Sequence, residues 1–593
     1  MRMIRAALLL GATALPMTVS AKNMPTKPAA ATPAVKPIAF TERTLANGLR
    51  VYAIRDTGTA NVSVQMWYDV GSKDDPVGRS GFAHMFEHLM FKATKNLVSE
   101  QMDRLTEDVG GENNASTNDD YTEYHEIIPA NHLERLLFAE ADRMASLVVE
   151  PKSFGSERDV VKEELRQNTN ARPYGKLFSL YYPAISYARH PYARGTIGSI
   201  DNLDSAKIDD VRAFHATFYR PDNAVLVVAG NFNPTQLDKW IDQYFAGIKR
   251  PDRPIPRVNT VEPMRLMALR RTVYEANTPL PAVLISYPVP ADRDPDNAAL
   301  NVLNTILSQG ESSRLYENLV YRDQLAQSAE SMLDTKQGPG NLAVFAIMAG
   351  GKSADAGEAA LRAQIARLRD TPVGGAELAK AKNQIVTNQL RGRETAEGKA
   401  RVLAEATIID GDPRAADRQL TEIAAVTTAD VQRVARKYLQ ENRSATIHYL
   451  PAEMANGAKG DTIKVADTVR MQPLFVPPDV AVVTPASEAN RIKPPAPGPA
   501  VNAAIPAPPE MTLANGLRVL VVERHELPLL TASLITTRGG AADPADRAGL
   551  ADLTSELMTK GTATRSATQI AQSIETLGGS IGSNGDWDGA NVS

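Results

Sequence analysis

The sequence contains no cysteine. This single absence excludes disulfide bonds, thiol catalysis and cysteine-ligated zinc, and it is compatible with an oxidising compartment. Long basic runs are also missing, and the formal net charge is −4. Because phosphate binding needs a clustered positive surface, nucleic acid is not an expected partner.

Long apolar runs are missing as well. Beyond the N-terminus there is no run of about 18 apolar residues, so no transmembrane helix is expected there. The N-terminus itself has a positively charged start (1–5), a short apolar stretch (6–15) and small residues up to Ala21. This pattern is typical of an export signal cleaved after Ala21 and predicts a periplasmic or secreted protein.

The chain of 593 residues is too long for one hydrophobic core. Two segments rich in proline and alanine divide it: residues 22–38, which we interpret as a disordered leader, and residues 456–509, which we interpret as an extended linker. The part between them is long enough for two domains, predicted at 39–250 and 251–455.

An internal repeat adds a further unit. The segment Leu45-Ala46-Asn47-Gly48-Leu49 recurs 468 positions later, at 513–517, and the same offset relates Gly81 to Gly549. Such regularity indicates a duplicated structural unit. The second copy begins near residue 510 and breaks off at Ser593, which predicts the truncated start of a repeat and a chain that is a fragment of a longer protein.

The coarse pattern mixes both types of secondary structure and predicts an α+β protein. Alternating or short apolar runs predict strands over 49–55, 61–70 and 224–230. Apolar residues at helical spacing predict helices over 81–92, 133–148, 154–168, 359–369 and 428–439.

The motif that carries chemistry is His84-Met85-Phe86-Glu87-His88. On a helix at 100° per residue, His84, Glu87 and His88 fall within one arc of about 100°. Two imidazoles one turn apart can bind one Zn²⁺, and Glu87 beside them can act as general base. The alternative is a pair of core histidines hydrogen-bonded to buried carboxylates, but a metal compensates better for these polar groups in an apolar helix.

His-x-x-Glu-His inverts the usual order of zinc-peptidase helices and resembles the pitrilysin/insulinase family of zinc metallopeptidases. The resemblance covers nearly all of the chain after residue 38. It implies tandem α/β sandwich-like domains, one Zn²⁺ per active site, a catalytic domain at 39–250, a related non-catalytic domain at 251–455 and an inactive repeat at 510–593.

The family takes its third zinc ligand from a glutamate roughly eighty residues downstream, and two candidates stand side by side here. Helical phase places Glu164 on the face of Val160 and Val161, and Glu163 on the polar side. Glu164 is therefore the predicted ligand. Glu157, two turns earlier on the same face, matches a family acid that supports the site; the alternative is a carboxylate without such a role.

Residues 110–117 resemble the glycine turn and the Asn-Ala-x-Thr strand that bind the substrate backbone in the family. This predicts substrate contacts at Asn114, Ala115 and Thr117 by strand addition. A plain hairpin strand is the alternative, and the two readings are compatible.

The second copy departs from the motif, because Asp552, Ser555 and Glu556 replace the two histidines and the glutamate. In the family an inert half also contributes an Arg/Tyr pair to the active site. The first copy has Val320 and Gln327 at the corresponding positions, so the pair is expected beyond residue 593.

The predicted function is that of a zinc metalloendopeptidase or oligopeptidase acting on peptides or unfolded proteins. Two alternatives remain: a non-catalytic peptide-binding or assembly subunit, and a half-enzyme that needs a partner subunit or a missing C-terminal half.

Overall fold

A computed structural model describes residues 35–475, 477, 478, 480, 482–502 and 507–593. The predicted signal peptide and the leader up to residue 34 lie outside the described residues. All described helices and strands belong to one unit, residues 37–593. None of the helices in these described ranges has both the length and the apolar character needed to cross a membrane.

The first lobe (39–250) is built on a six-stranded sheet in the order β1-β2-β6-β3-β5-β4. β2 and β6 are parallel and the other neighbours are antiparallel. β4 lies at an edge of the sheet. The strands are β1 (Thr41–Thr44), β2 (Arg50–Arg55), β3 (Asn61–Tyr68), β4 (Glu112–Thr117), β5 (Thr122–Pro129) and β6 (Ala224–Gly230).

Helices of the first lobe cover one face of this sheet and bury the largest apolar cluster of the described residues. They are α1 (Phe82–Leu89), α2 (Gln101–Glu107), α3 (Leu133–Ser146), α4 (Pro151–Glu164), α6 (Ile200–Ser205), α7 (Ile208–Phe218) and α8 (Pro234–Phe245). α5 (Tyr182–Ser186) belongs to the same part of the chain but packs in a separate cluster with Ala282 and Leu284. α4 continues directly into a π-helix, Leu165–Ala171.

The second lobe (251–455) has a five-stranded sheet in the order β7-β11-β8-β10-β9. One pair, β7 and β11, is parallel, and the rest are antiparallel. These strands follow the order and directions of β2-β6-β3-β5-β4, so the two lobes share one topology. They are β7 (Leu269–Glu275), β8 (Ala282–Val289), β9 (Ala326–Asp334), β10 (Gly340–Met348) and β11 (Ala445–Pro451).

The helices of the second lobe are α9 (Asn297–Ser308), α10 (Ala354–Asp370), α11 (Gly375–Arg391), α12 (Ala396–Ile409), α13 (Ala415–Ala425) and α14 (Thr428–Tyr438). α12 leaves its own lobe and packs on the other face of the first sheet, where Leu403 joins Trp67 and Val225 in a buried cluster. This shared core holds the lobes together, because burying such side chains is the main favourable contribution to folding.

The segment 510–593 repeats the start of the first lobe in structure. Its elements are β12 (Glu510–Thr512), β13 (Arg518–Leu520), β14 (Leu534–Thr536), α15 (Leu550–Leu557), α16 (Ala567–Glu575), β15 (Ser583–Gly585) and β16 (Ala590–Val592). α15 matches α1 residue for residue at the offset of the sequence repeat. Large apolar side chains of this segment remain exposed, among them Leu530, Leu577 and Trp587.

The predicted linker lies along the surface of the first lobe. Ala486 N–H donates to the carbonyl of Lys95 (2.9 Å), and Gly498 N–H donates to that of Asn131 (2.7 Å). Backbone N–H groups of the extended linker, which has few internal hydrogen bonds, are thus paired with carbonyl groups of the first lobe. Order also begins earlier than expected, since Ile38, assigned to the leader, packs against the shared core.

The predicted elements are present with shifted ends. The helix expected over 81–92 spans Phe82–Leu89, and that expected over 154–168 is divided into α4 and the π-helix. The expected apolar face of this helix is half wrong: Val161 is fully buried but Val160 is 46% exposed. The buried face of α4 is narrower than the sequence pattern indicates, because the helix lies at the surface of the lobe.

Candidate metal centre

The helix α1 begins at a tight turn that the sequence encodes locally. Gly81, its N-cap, has a φ of 96°, which favours glycine, and a Cβ there would meet the carbonyl of Ile197 at 2.8 Å. The carboxylate of Asp75 accepts hydrogen bonds from Gly81 N–H (2.6 Å) and Ala83 N–H (2.9 Å). These contacts satisfy two of the unpaired donors at the helix start.

The cap is itself buried. Burial raises the pKa of Asp75 to about 7, although Arg194 and the two backbone donors act in the opposite direction. The second copy repeats the arrangement, because Asp543 accepts from Gly549 N–H (2.8 Å) and Ala551 N–H (3.0 Å). The cap was not recognised in the sequence as part of the site; its signal was the repeated Asp-Pro pair at 75 and 543.

Three predicted ligands lie together. Glu164 Oε2 is 3.6 Å from His84 Nε2 and 3.6 Å from His88 Nε2. The three donor atoms lie within 4.8 Å of one another. Donors around a tetrahedral Zn²⁺ lie roughly 3.4 Å apart, as follows from metal–ligand distances near 2.0–2.1 Å. Two imidazoles and one carboxylate at this spacing fit a zinc ion and leave a fourth position open.

The neighbouring glutamates separate as the helical phase predicts. Glu163 points to solvent, with its side chain 54% exposed. Its carboxylate accepts hydrogen bonds from the side chains of Arg166 and Gln167. Glu164 is the last residue of α4, where the π-helix begins. π-turns inside helices are often found at functional sites.

Glu157 lies behind the histidines. Its Oε2 is 3.6 Å from His88 Nδ1, and its Oε1 is 3.1 Å from Lys92 Nζ. Since Glu157 approaches Nδ1, the Nε2 of His88 is left to face Glu164 and the open centre. Lys92 was not predicted; it holds the far oxygen of Glu157 and so fixes the carboxylate from both sides.

The two histidines differ in their electrostatics. Burial lowers the pKa of His84, and this outweighs the nearby carboxylates of Glu87 and Glu164. For His88 burial also acts to lower the pKa, but Glu157 and the other carboxylates outweigh it and the pKa is raised. The carboxylate of Glu87 acts to raise the pKa of both imidazoles, as expected for a charge on the same helix.

The predicted substrate residues lie on β4, which pairs with β5 and has no strand of the described residues on its other edge. Contacts between α1 and β4 place this strand beside α1, the helix that carries the predicted ligands His84 and His88 and is called the metal helix below. Ala115 N–H donates to the side-chain oxygen of Asn114 (2.8 Å), and Thr117 Oγ1 lies 3.4 Å from Thr122 Oγ1.

The second copy, in its described residues 510–593, does not rebuild the centre. Within the described ranges, α15 forms no group of three metal donors. A second group of donors does occur, at Asp355, Glu358 and His448 in the second lobe. Arg270 contacts both carboxylates, and Arg362 lies 2.8 Å from Glu358. These cations already balance the acids, so we interpret the group as an ion-pair network.

Comparison with known proteins follows the same division of the chain. The family model described as Insulinase (Peptidase family M16) matches residues 50–199 and again 518–591. The model described as Peptidase M16 inactive domain matches residues 205–385. A zinc protease PqqE of Helicobacter pylori is 31% identical over 413 residues, which cover 69% of this chain and 92% of the relative. The chain belongs to peptidase family M16.

Solved structures with the same fold include two bacterial proteases. A protease from Helicobacter pylori superposes with a TM-score of 0.68 at 30% identity, covering 70% of this chain and all of that one. The periplasmic protease PqqL from Escherichia coli has a TM-score of 0.60 at 16% identity and covers 94% of this chain, which in turn spans 64% of PqqL. The predicted family and the α+β fold are thereby confirmed, and so is the duplication, since one family model matches both copies.

Proposed function

We propose that this chain is a zinc-dependent peptidase whose centre is His84, His88 and Glu164. The observation that carries the proposal is the meeting of their three donor atoms at a spacing that fits Zn²⁺. Zinc proteases among the relatives support the same metal.

Glu87 is the proposed general base. When bound, zinc polarises a peptide carbonyl and makes a water molecule more acidic. The carboxylate of Glu87 takes the proton of the attacking water and delivers it to the nitrogen of the leaving amine. Glu157 holds His88 so that its Nε2 faces the centre, which fixes the tautomer and the orientation of the ring.

The proposed substrate is a peptide or an unfolded protein in extended conformation. It adds as a further strand to the free edge of β4, where Asn114, Ala115 and Thr117 contact it. Strand addition uses main-chain hydrogen bonds and so gives affinity with little dependence on side chains. Residues 39–250 are the proposed catalytic domain, and 251–455 the related non-catalytic domain.

The proposed location is the periplasm or the exterior, after removal of a signal peptide behind Ala21. The export pattern of the first residues supports this, and a structural neighbour is named a periplasmic protease.

A requirement for a partner is the second candidate, and one observation favours it. In the first copy β6 lies between β2 and β3. In the second copy the equivalents β13 and β14 belong to separate small sheets of the described residues. We propose that a strand supplied by a partner half, in the same polypeptide or in another, fills this gap and completes an inactive half.

Metal analysis combined with peptide hydrolysis tests both candidates. We expect one zinc per chain, hydrolysis of unfolded protein that stops when a chelator removes the metal, and recovery when zinc is returned. Folded protein without zinc would instead favour a peptide-binding subunit. Bound zinc with hydrolysis only after a partner is added would favour a half-enzyme.

A further inference from the structure

The loop between β9 and β10, residues 335–339, projects from the second lobe onto the first. This hairpin tip meets two segments: the β4–β5 turn, 118–121, and the segment 69–75 that leads into the cap of α1. Lys336 contacts the carboxylate of Asp119, and Gln337 N–H donates to Asp120 Oδ2 (2.9 Å). Both carboxylates belong to the turn at the end of the predicted substrate strand.

The side chain of Gln337 reaches the second segment. Its Oε1 accepts from Lys73 Nζ (2.8 Å), and its Nε2 donates to Asp69 Oδ1 (3.1 Å). Lys73 Nζ also donates to Asp120 Oδ1 (2.9 Å), so the two segments are joined to each other and to the tip. Only one residue, Asp74, separates Lys73 from Asp75, which caps α1.

The contact leaves no room for adjustment. A Cβ on Gly338 would lie 3.1 Å from the ring of Tyr192 and 3.2 Å from His190 Nε2, and a Cβ on Gly71 would lie 2.4 Å from the carbonyl of Asn118. Gly338 N–H donates to the hydroxyl of Tyr192 (3.1 Å), which contacts Asp120. Side chains packed this closely transmit a displacement rather than absorb it.

The charges are buried where they meet. The side chain of Lys73 is 6% exposed and that of Asp120 is 3% exposed. Burying ion pairs costs desolvation and often gives no net gain in stability over apolar packing, so their value can lie in fixing one geometry. Here the fixed elements are the two on which the proposed chemistry depends.

We propose that the hairpin tip of the second lobe is a positioning device: Lys336 and Gln337 hold the β4–β5 turn and the segment before α1, and so set the substrate edge against the metal helix. The effect on catalysis rests on the proposed function, whereas the effect on the order of β4 does not. Lys336 and Gln337 touch none of the predicted zinc ligands, so they are positioning residues.

Hydrogen exchange, zinc content and steady-state kinetics of the whole chain test this. The variants are Lys336→Met and Gln337→Ala, with Lys336→Arg as the conservative replacement and Lys352→Met as a control at an exposed lysine of the same lobe. In the first two variants we expect amides of 112–127 to exchange at least about tenfold faster. Zinc content should stay at the wild-type value.

We expect these variants to change KM and to leave kcat nearly unchanged. KM should rise about three- to tenfold, as loss of one or two hydrogen-bonded supports implies, while kcat stays within about twofold. Lys336→Arg keeps the positive charge and should show the exchange rates and the KM of the wild type. If Lys336→Met does not fold, Gln337→Ala decides, because it removes no charge.

Unchanged exchange over 112–127 in folded Gln337→Ala would overturn the proposal. So would faster exchange spread equally over both lobes, since that is the result of ordinary packing. A wild-type chain that binds zinc but cleaves no peptide would count against the proposed function alone, because the exchange measurement still decides the positioning role.

Discussion

Glu157 Oε2 lies 3.6 Å from His88 Nδ1, on the side of the ring that faces away from Glu164. Glu157 and Glu164 thus lie next to different ring nitrogens of His88, Nδ1 and Nε2 respectively. This divides their roles: Glu164 faces the centre and Glu157 orients the ring from behind.

Glu157→Gln should therefore weaken zinc binding without abolishing it. Loss of such a supporting partner usually costs about 10–100-fold in metal affinity or activity. Competition against a chelator of known affinity measures the effect. An affinity equal to that of the wild type would mean that Glu157 is a carboxylate without a role at the site.

Adjacent glutamates offer a matched pair of variants. Glu164→Gln should lose zinc, because it removes one of three charged or imidazole donors. Glu163→Gln should keep it, because this side chain points to solvent. Metal content of the two purified proteins gives the answer, and loss of zinc in Glu163→Gln alone would reverse the assignment.

Much of this centre could be predicted from the sequence, because it depends on helical phase. His84 and His88 are placed by their spacing on one helix. The segment of Glu164 is indicated by the resemblance to the family, and helical phase then favours Glu164 over Glu163. Asp75 and Lys92 were missed, since their contacts are made by backbone donors and by the approach of α4, which no local pattern records. The failure at Val160 has the same cause: depth of burial depends on the packing of the whole lobe.

The fold shows the same limit. The strands and helices of the first lobe follow from local patterns, and the repeat revealed the second copy. That α12 would cross to the other face of the first sheet, or that Lys336 and Gln337 would reach Asp119 and Asp120, could not be read from the sequence. Such contacts join residues far apart in the chain: Lys336 and Asp119 are separated by 217 positions.

The contribution of Asp75, the cap of α1, to stability can be compared with that of Asp543, the equivalent cap of α15. Asp75→Asn should destabilise the protein by ~1–3 kcal/mol, because the amide supplies one acceptor where two backbone donors are buried. Asp543→Asn makes the same change in the less buried second copy and should cost less than about half as much. Chemical denaturation of both variants compares them; equal costs would show that burial of the cap is unimportant.

The substrate edge can be altered without changing the sheet. The N–H of Ala115 donates to the side chain of Asn114, a partner that a substrate carbonyl can replace. Ala115→Pro removes this N–H and should therefore cost one main-chain hydrogen bond to the substrate. We expect KM to rise about tenfold or more with zinc content unchanged. Glu112→Ala, at the exposed start of β4, is the control. An unchanged KM in folded Ala115→Pro would argue against strand addition at this position.

The most direct test of the whole account is Glu87→Gln, which keeps the size of the side chain and removes its basicity. Zinc content should equal that of the wild type, and kcat for peptide hydrolysis should fall by about 10²–10⁴. Zinc analysis and turnover are to be measured on the same preparation. Wild-type turnover in a zinc-loaded Glu87→Gln protein would contradict the assignment of Glu87 as the base, and with it the proposed mechanism.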